Sequence, residues 1–194
     1  KMSTQVLPTK VKTDEFTSVL GMLVILGSIT MLFVALIVSY SILRIQSSMW
    51  IKPGVGSIAF ILGVINTVIL MISSWTYHKG QHYGVKGIHR KVRQWLGLTL
   101  GLGVIFLLAQ LNLWRILIDS GMTAQSNIVG SVFYMLTGVH GLHIISAIVA
   151  LFWAIIRSTR VVASIEIRPI KLVGLLWHFL DFLWICLFVS IFII

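Results

Sequence analysis

Negative charge is what this chain most lacks. Five acidic residues stand against fifteen Lys and Arg in its 194 residues, for a net charge of +10. Of the five acids only Asp181 falls inside a long apolar run, too few for a relay of titratable groups reaching both faces of a membrane. Cysteine is almost as scarce. The single Cys186 excludes a disulfide framework and a thiolate pair for a metal, and reads as a small core residue. The three prolines, Pro8, Pro53 and Pro169, fall outside the apolar runs, so no proline-broken helix is expected. With no internal repeat and an odd number of runs, that argues against a secondary transporter.

What the chain has in abundance is apolar length. Hydrophobic residues make up 58% of it, against roughly 45–50% in a soluble domain. Mean hydropathy is +1.01. Five runs exceed the roughly 18 apolar residues that license a membrane-spanning helix, at about Phe16–Leu43, Val55–Tyr77, Trp95–Ile118, Asn127–Ile156 and Leu172–Ile194. The fold class expected is an all-α membrane protein. A polar segment, residues 1–15, precedes a single five-helix transmembrane domain over 16–194. The first run is too long for a signal-peptide core and lacks a small-residue cleavage site, so it reads as a retained span.

The basic residues lie between the spans rather than on one folded surface, which argues against a nucleic-acid partner. Lys1, Lys10 and Lys12, the five at positions 79, 86, 90, 91 and 93, and the four at 157, 160, 168 and 171 fall on one side; Arg44, Lys52 and Arg115 fall on the other. The positive-inside rule therefore places the N-terminus inside and the C-terminus outside. Within the spans, polar and small residues form stripes at helical spacing, the usual means by which membrane helices approach and bond one another. Asn66, Ser73 and Tyr77 share one face of the second helix, with Thr67, Ser74 and His78 beside them; Thr99, Gly103, Gln110 and Trp114 line the third.

Two stretches concentrate the chemistry. Thr137-Gly138-Val139-His140-Gly141-Leu142-His143 puts a threonine and two imidazoles mid-span, and Trp177-His178-Phe179-Leu180-Asp181-Phe182-Leu183-Trp184 adds a third imidazole and the lone carboxylate. Intramembrane groups of this kind need partners, so both helices face protein. His143 is ~20 Å from the end of its span and Asp181 ~15 Å from the start of its own, at ~1.5 Å per residue, so a contact between them is geometrically possible. Haem ligation needs imidazoles on both sides of a ring, and a metal needs three or four convergent ligands; His140, His143, His178 and Asp181 just suffice for the second. The plainer reading is a buried polar network that fixes how helices four and five pack, with a phospholipid head group as a further partner of the basic loops. The candidate residues are His140, His143, His178, Asp181, Trp177, Trp184 and Thr137.

These two motifs, with Phe188 after the second, resemble subunit III of the haem-copper terminal oxidases. The earlier spans agree in Leu20-Gly21-Met22, Ser28 and Met31; in Asn66-Thr67, Ser73-Ser74 and Thr76; and in Trp95-Leu96-Gly97-Leu98-Thr99 and Gln110. The likeness is to the short five-span form, without the extra pair of helices that many members carry. Where the family usually has a glutamate near an intramembrane histidine this chain has Ile29, and where a second acid is frequent it has Asn112. The resemblance implies a non-catalytic subunit with no haem or copper of its own, those being held by partner subunits. It also implies packing against the catalytic subunit I among the other oxidase subunits, bound phospholipid, support of oxygen reduction coupled to proton translocation, and a place in the bacterial cytoplasmic (inner) membrane. The alternatives are a subunit III-like accessory protein of a nitric oxide reductase, and a stand-alone membrane cytochrome in which His140 or His143 pairs with His78 or His178 on haem.

Overall fold

The computed structural model describes residues 9–46, 55–125, 128–160 and 167–192, and among these every element is a helix. They are α1 (Thr9–Gln46), α2 (Val55–Val85), α3 (His89–Asp119), α4 (Ile128–Arg160) and α5 (Ile167–Phe192). All five are long and apolar enough to cross a membrane. The first turns of the polar N-terminal segment, from Thr9, belong to α1, while Lys1 to Pro8, Lys52, Pro53, Asn127 and the last two residues lie outside the described residues.

The helices overrun the apolar runs because nothing in the flanking sequence stops them at the hydrocarbon boundary. α2 continues eight residues beyond the expected Tyr77, to Val85. It ends where Gly87 takes φ +70°, with Ile88 N–H bonded to Tyr83 O at 3.1 Å and Gly87 N–H to Gly84 O at 3.1 Å. α3 closes the same way at Gly121 (φ +83°), with Met122 N–H bonded to Leu117 O at 3.0 Å. Both are the six-to-one closure that a left-handed glycine permits. Pro169, expected outside the spans, sits within the first turn of α5 instead. There its missing N–H has no intrahelical acceptor to lose.

α2 and α3 form a tight hairpin, α3 packs on α4, α4 on α5 and α5 back on α2, closing a ring of four; α1 lies outside it against α4 and α5. Burial follows that order. In α5, 44% of the most apolar window is inside the bundle, against 11% in α1. The polar stripes meet as their spacing predicts: Asn66 Nδ2 donates to Gln110 Oε1 at 3.3 Å, and the Thr76 and Thr99 hydroxyls bond at 2.8 Å. Tyr77 Oη reaches the Ile170 carbonyl at 2.7 Å.

The diagonal between α5 and α3 is filled by two tryptophans of α5. Trp184 meets Phe106 edge-on at 4.9 Å, and Trp177 reaches Gly103, where a Cβ would stand 2.8 Å from Cη2 of the indole. A buried indole cannot swing aside, so Gly103→Ala is expected to destabilise the bundle by about 1–3 kcal/mol. Gly141→Ala, whose Cβ meets nothing within 4 Å, serves as the control and should be neutral or better. Thermal unfolding of the two variants in mild detergent checks this.

Candidate functional site

The candidate residues of helices four and five divide between two sides of α5. His140 is buried, its ring tilted against Trp184 at 5.5 Å and met edge-on by Phe33 at 6.1 Å and Phe106 at 6.2 Å. Neither ring nitrogen has a hydrogen-bond partner among the described residues. His143 packs on the same Phe33 at 5.5 Å and turns its Nδ1 to the Val139 carbonyl of its own helix at 2.7 Å. Thr137 likewise bonds back to Phe133 O at 2.8 Å, as threonines in apolar helices do. Aromatic rings rather than polar groups surround this histidine pair. Ile29 is buried on α1 one turn before Phe33, so α1 brings apolar surface to this side.

His178 and Asp181 face α2. The Ser74 hydroxyl and His178 Nδ1 are bonded at 2.6 Å, and Tyr77 meets the His178 ring edge-on at 5.6 Å. Asp181 lines a cavity of ≈ 210 Å³ with Thr67, Ser74 and His178; the Ser74 hydroxyl stands near its carboxyl, but neither oxygen makes a hydrogen bond of full geometry among the described residues. No hydrogen bond joins it to His143 or His140, so the contact that depth alone allows is not formed. The tryptophans connect the two sides. Trp177 Nε1 donates to Ser73 Oγ at 2.9 Å and Trp184 Nε1 to Thr67 Oγ1 at 3.1 Å. Trp184 thus touches His140 with its face and α2 with its N–H. Among the described residues no three His, Cys, Asp or Glu side chains converge as a metal ion would require.

Two features lie beyond the candidate set of helices four and five. Thr67 and Ser74 complete the surroundings of Asp181 from α2, signalled only by their stripe. At the end of the bundle where α1 begins and α4 meets α5, a cavity of ≈ 1110 Å³ is lined by Phe16, Trp153 and Leu172 together with Arg157, Arg168 and Lys171. Arg157 lies over the Trp153 ring at 5.2 Å, and Arg168 donates to Ser18 of α1. Apolar walls with three cations at the mouth suit an amphiphile with an anionic head.

The bundle, its motif-bearing fourth and fifth helices and their partners on α2 extend over the same residues that a family comparison selects. The sequence model of cytochrome c oxidase subunit III matches residues 10–194. The chain belongs to the cytochrome c oxidase subunit III family. A subunit 3 of Synechocystis sp. is 30% identical over 176 residues, 90% of this chain and 74% of that one. Those of Thermostichus vulcanus and Corynebacterium diphtheriae are 32% and 33% identical over 178 residues each, covering 87% and 86% of the relatives. The chain is therefore an integral, multi-pass membrane subunit of a haem-copper oxidase complex of the respiratory chain, which it shares with other subunits.

The geometry around His140 sets an expectation that separates packing from chemistry. An orphaned buried imidazole replaced by an apolar ring of similar shape loses no hydrogen bond, so His140→Phe should leave stability within about 1 kcal/mol. Removing the ring in His140→Ala leaves a cavity and should cost about 2–5 kcal/mol. Thermal or denaturant unfolding of the purified complex distinguishes the two.

Proposed function

We propose that this chain is the non-catalytic third subunit of its oxidase, packing directly on the catalytic subunit I, holding phospholipid, and supporting oxygen reduction coupled to proton translocation. The observation that carries the reading is the family match across residues 10–194, whose members are subunits of a larger oxidase. In this reading haem and copper are held by partner subunits. The candidate set fits that role, since His140 is enclosed by Phe33, Phe106 and Trp184 while His178 is engaged by Ser74. His140, His143, Trp177, Trp184, Thr137, His178 and Asp181 are assigned structural or lipid-contact roles. α1, which exposes most of its length, offers the broadest apolar surface for a neighbour.

The cavity ringed by Arg157, Arg168 and Lys171 is assigned to a phospholipid head group, with its acyl chains against α1 and α4. That end of the bundle also carries Lys79, Lys86, Arg90, Lys91 and Arg93, and by the positive-inside rule it faces the cytoplasm of a bacterial inner membrane.

Purification in mild detergent is expected to bring down a large haem-bearing subunit, which keeps its full reduced-minus-oxidised spectrum after this chain is stripped away. Haem or metal leaving with this chain, or no haem protein accompanying it, overturns the reading. The double variant Arg157→Gln/Arg168→Gln is expected to lower the phospholipid retained per complex, read by mass spectrometry of extracted lipid, while the haem spectra stay unchanged.

A further inference from the structure

The groove between α2 and α5 is lined by polar side chains. Polar side chains descend it from the basic end in steps. Counted at ~1.5 Å per residue from Val85 on α2 and Ile167 on α5, His78 lies ~10 Å in, Ser74 and His178 ~16 Å, Asp181 ~21 Å and Thr67 ~27 Å. Two adjoining recesses lie beside them. A recess of ≈ 370 Å³ bounded by Trp75 and His78 shares Met71, Ser74 and His178 with the ≈ 210 Å³ cavity at Asp181. At its deep end the groove stops on Trp184, whose indole is held by Thr67. Beyond, Phe60, Phe188 and Phe192 close the same seam with ring centroids 5.7 Å and 6.0 Å from Phe60.

Asp181 is 8% exposed, the Ser74 hydroxyl is its one polar neighbour of note, and neither oxygen makes a hydrogen bond of full geometry among the described residues. A carboxyl at that depth is stable only beside something that hydrogen-bonds it. An acyl chain cannot. Water can, and the groove provides what buried water needs: room for several molecules at ~30 Å³ each, with Ser74, His178, Asp181 and Thr67 as partners.

We propose that the α2–α5 groove is a one-sided water inlet that hydrates Asp181 from the basic end of the bundle and is sealed from the opposite end by Trp184 and the phenylalanine cluster. Water in it places the Asp181 carboxyl in proton exchange with one side of the membrane alone. The inference concerns this chain's own groove and does not depend on contact with subunit I.

The test is reaction of introduced cysteines with a small charged thiosulfonate in native membrane vesicles of both orientations, in a Cys186→Ser background and with the oxidase complex intact. Lys86→Cys on the α2–α3 turn marks the basic side. Ser74→Cys is expected to react from that same side and on the order of tenfold or more faster than lipid-facing Leu142→Cys, because the reactive thiolate forms only where water reaches it. Phe60→Cys should stay silent from both sides. Equal, slow reaction of Ser74→Cys and Leu142→Cys overturns the inlet and means that lipid or a neighbouring subunit covers the groove. Reaction from both sides overturns the seal. His78→Cys, at the exposed mouth, and Asp181→Cys, at the end of the path, give the same readout should Ser74→Cys fail to assemble.

Discussion

The indole N–H of Trp184 has one acceptor, the Thr67 hydroxyl 3.1 Å away on another helix, and the rest of the bundle is arranged around keeping it there. A buried indole N–H left without an acceptor is costly, so the bond favours one rotation of α5 against α2. Once that rotation is set, Trp177 is delivered to Ser73 on the same seam, and the faces of both indoles turn inward to fill the diagonal toward Phe106 and Gly103 on α3. Glycine at position 103 is what lets the indole lie so close to that helix. The ring of four helices is thus held by two side chains acting as donors at one edge and as apolar filling elsewhere.

The same rotation divides the ionisable residues. With Trp184 between them, His140 lies on the side of α1, α3 and α4, and Asp181 on the side of α2. The histidine is accommodated by ring contacts; the carboxyl opens onto a cavity with hydroxyl and imidazole walls. Ile29 belongs with the first arrangement, since α1 contributes apolar surface next to Phe33. Two neighbouring sites in one bundle therefore hold an intramembrane polar group differently, one by close aromatic packing and the other beside a cavity with polar walls.

Much of the fold was legible in the chain. The number of spans follows from apolar run lengths, because nothing shorter crosses hydrocarbon and nothing so apolar stays in water. The stripes on α2 and α3 were legible too, through Asn66, Thr99 and Gln110, but that those two helices pair, and that Thr76 meets Thr99, came from the structure. Helix ends were less so. α2 runs on through polar residues to Gly87, since a helix terminates at a backbone conformation rather than at the edge of its apolar stretch. The basic cavity was half legible: Arg157, Arg168 and Lys171 flank one connection, but Ser18 of α1, which helps to line it, stands 150 residues before Arg168.

The sequence by itself determined that this is a five-span membrane bundle, which residues carry its chemistry and which family they belong to, because hydropathy, spacing and motif are properties of the chain read along its length. Which of those residues meet was decided by tertiary structure alone. His143 and Asp181 sit on helices that touch, at depths that allow contact. They are parted because the rotation of α5 about its own axis is set by hydrogen bonds to a third helix, and no linear pattern in α4 or α5 records that constraint.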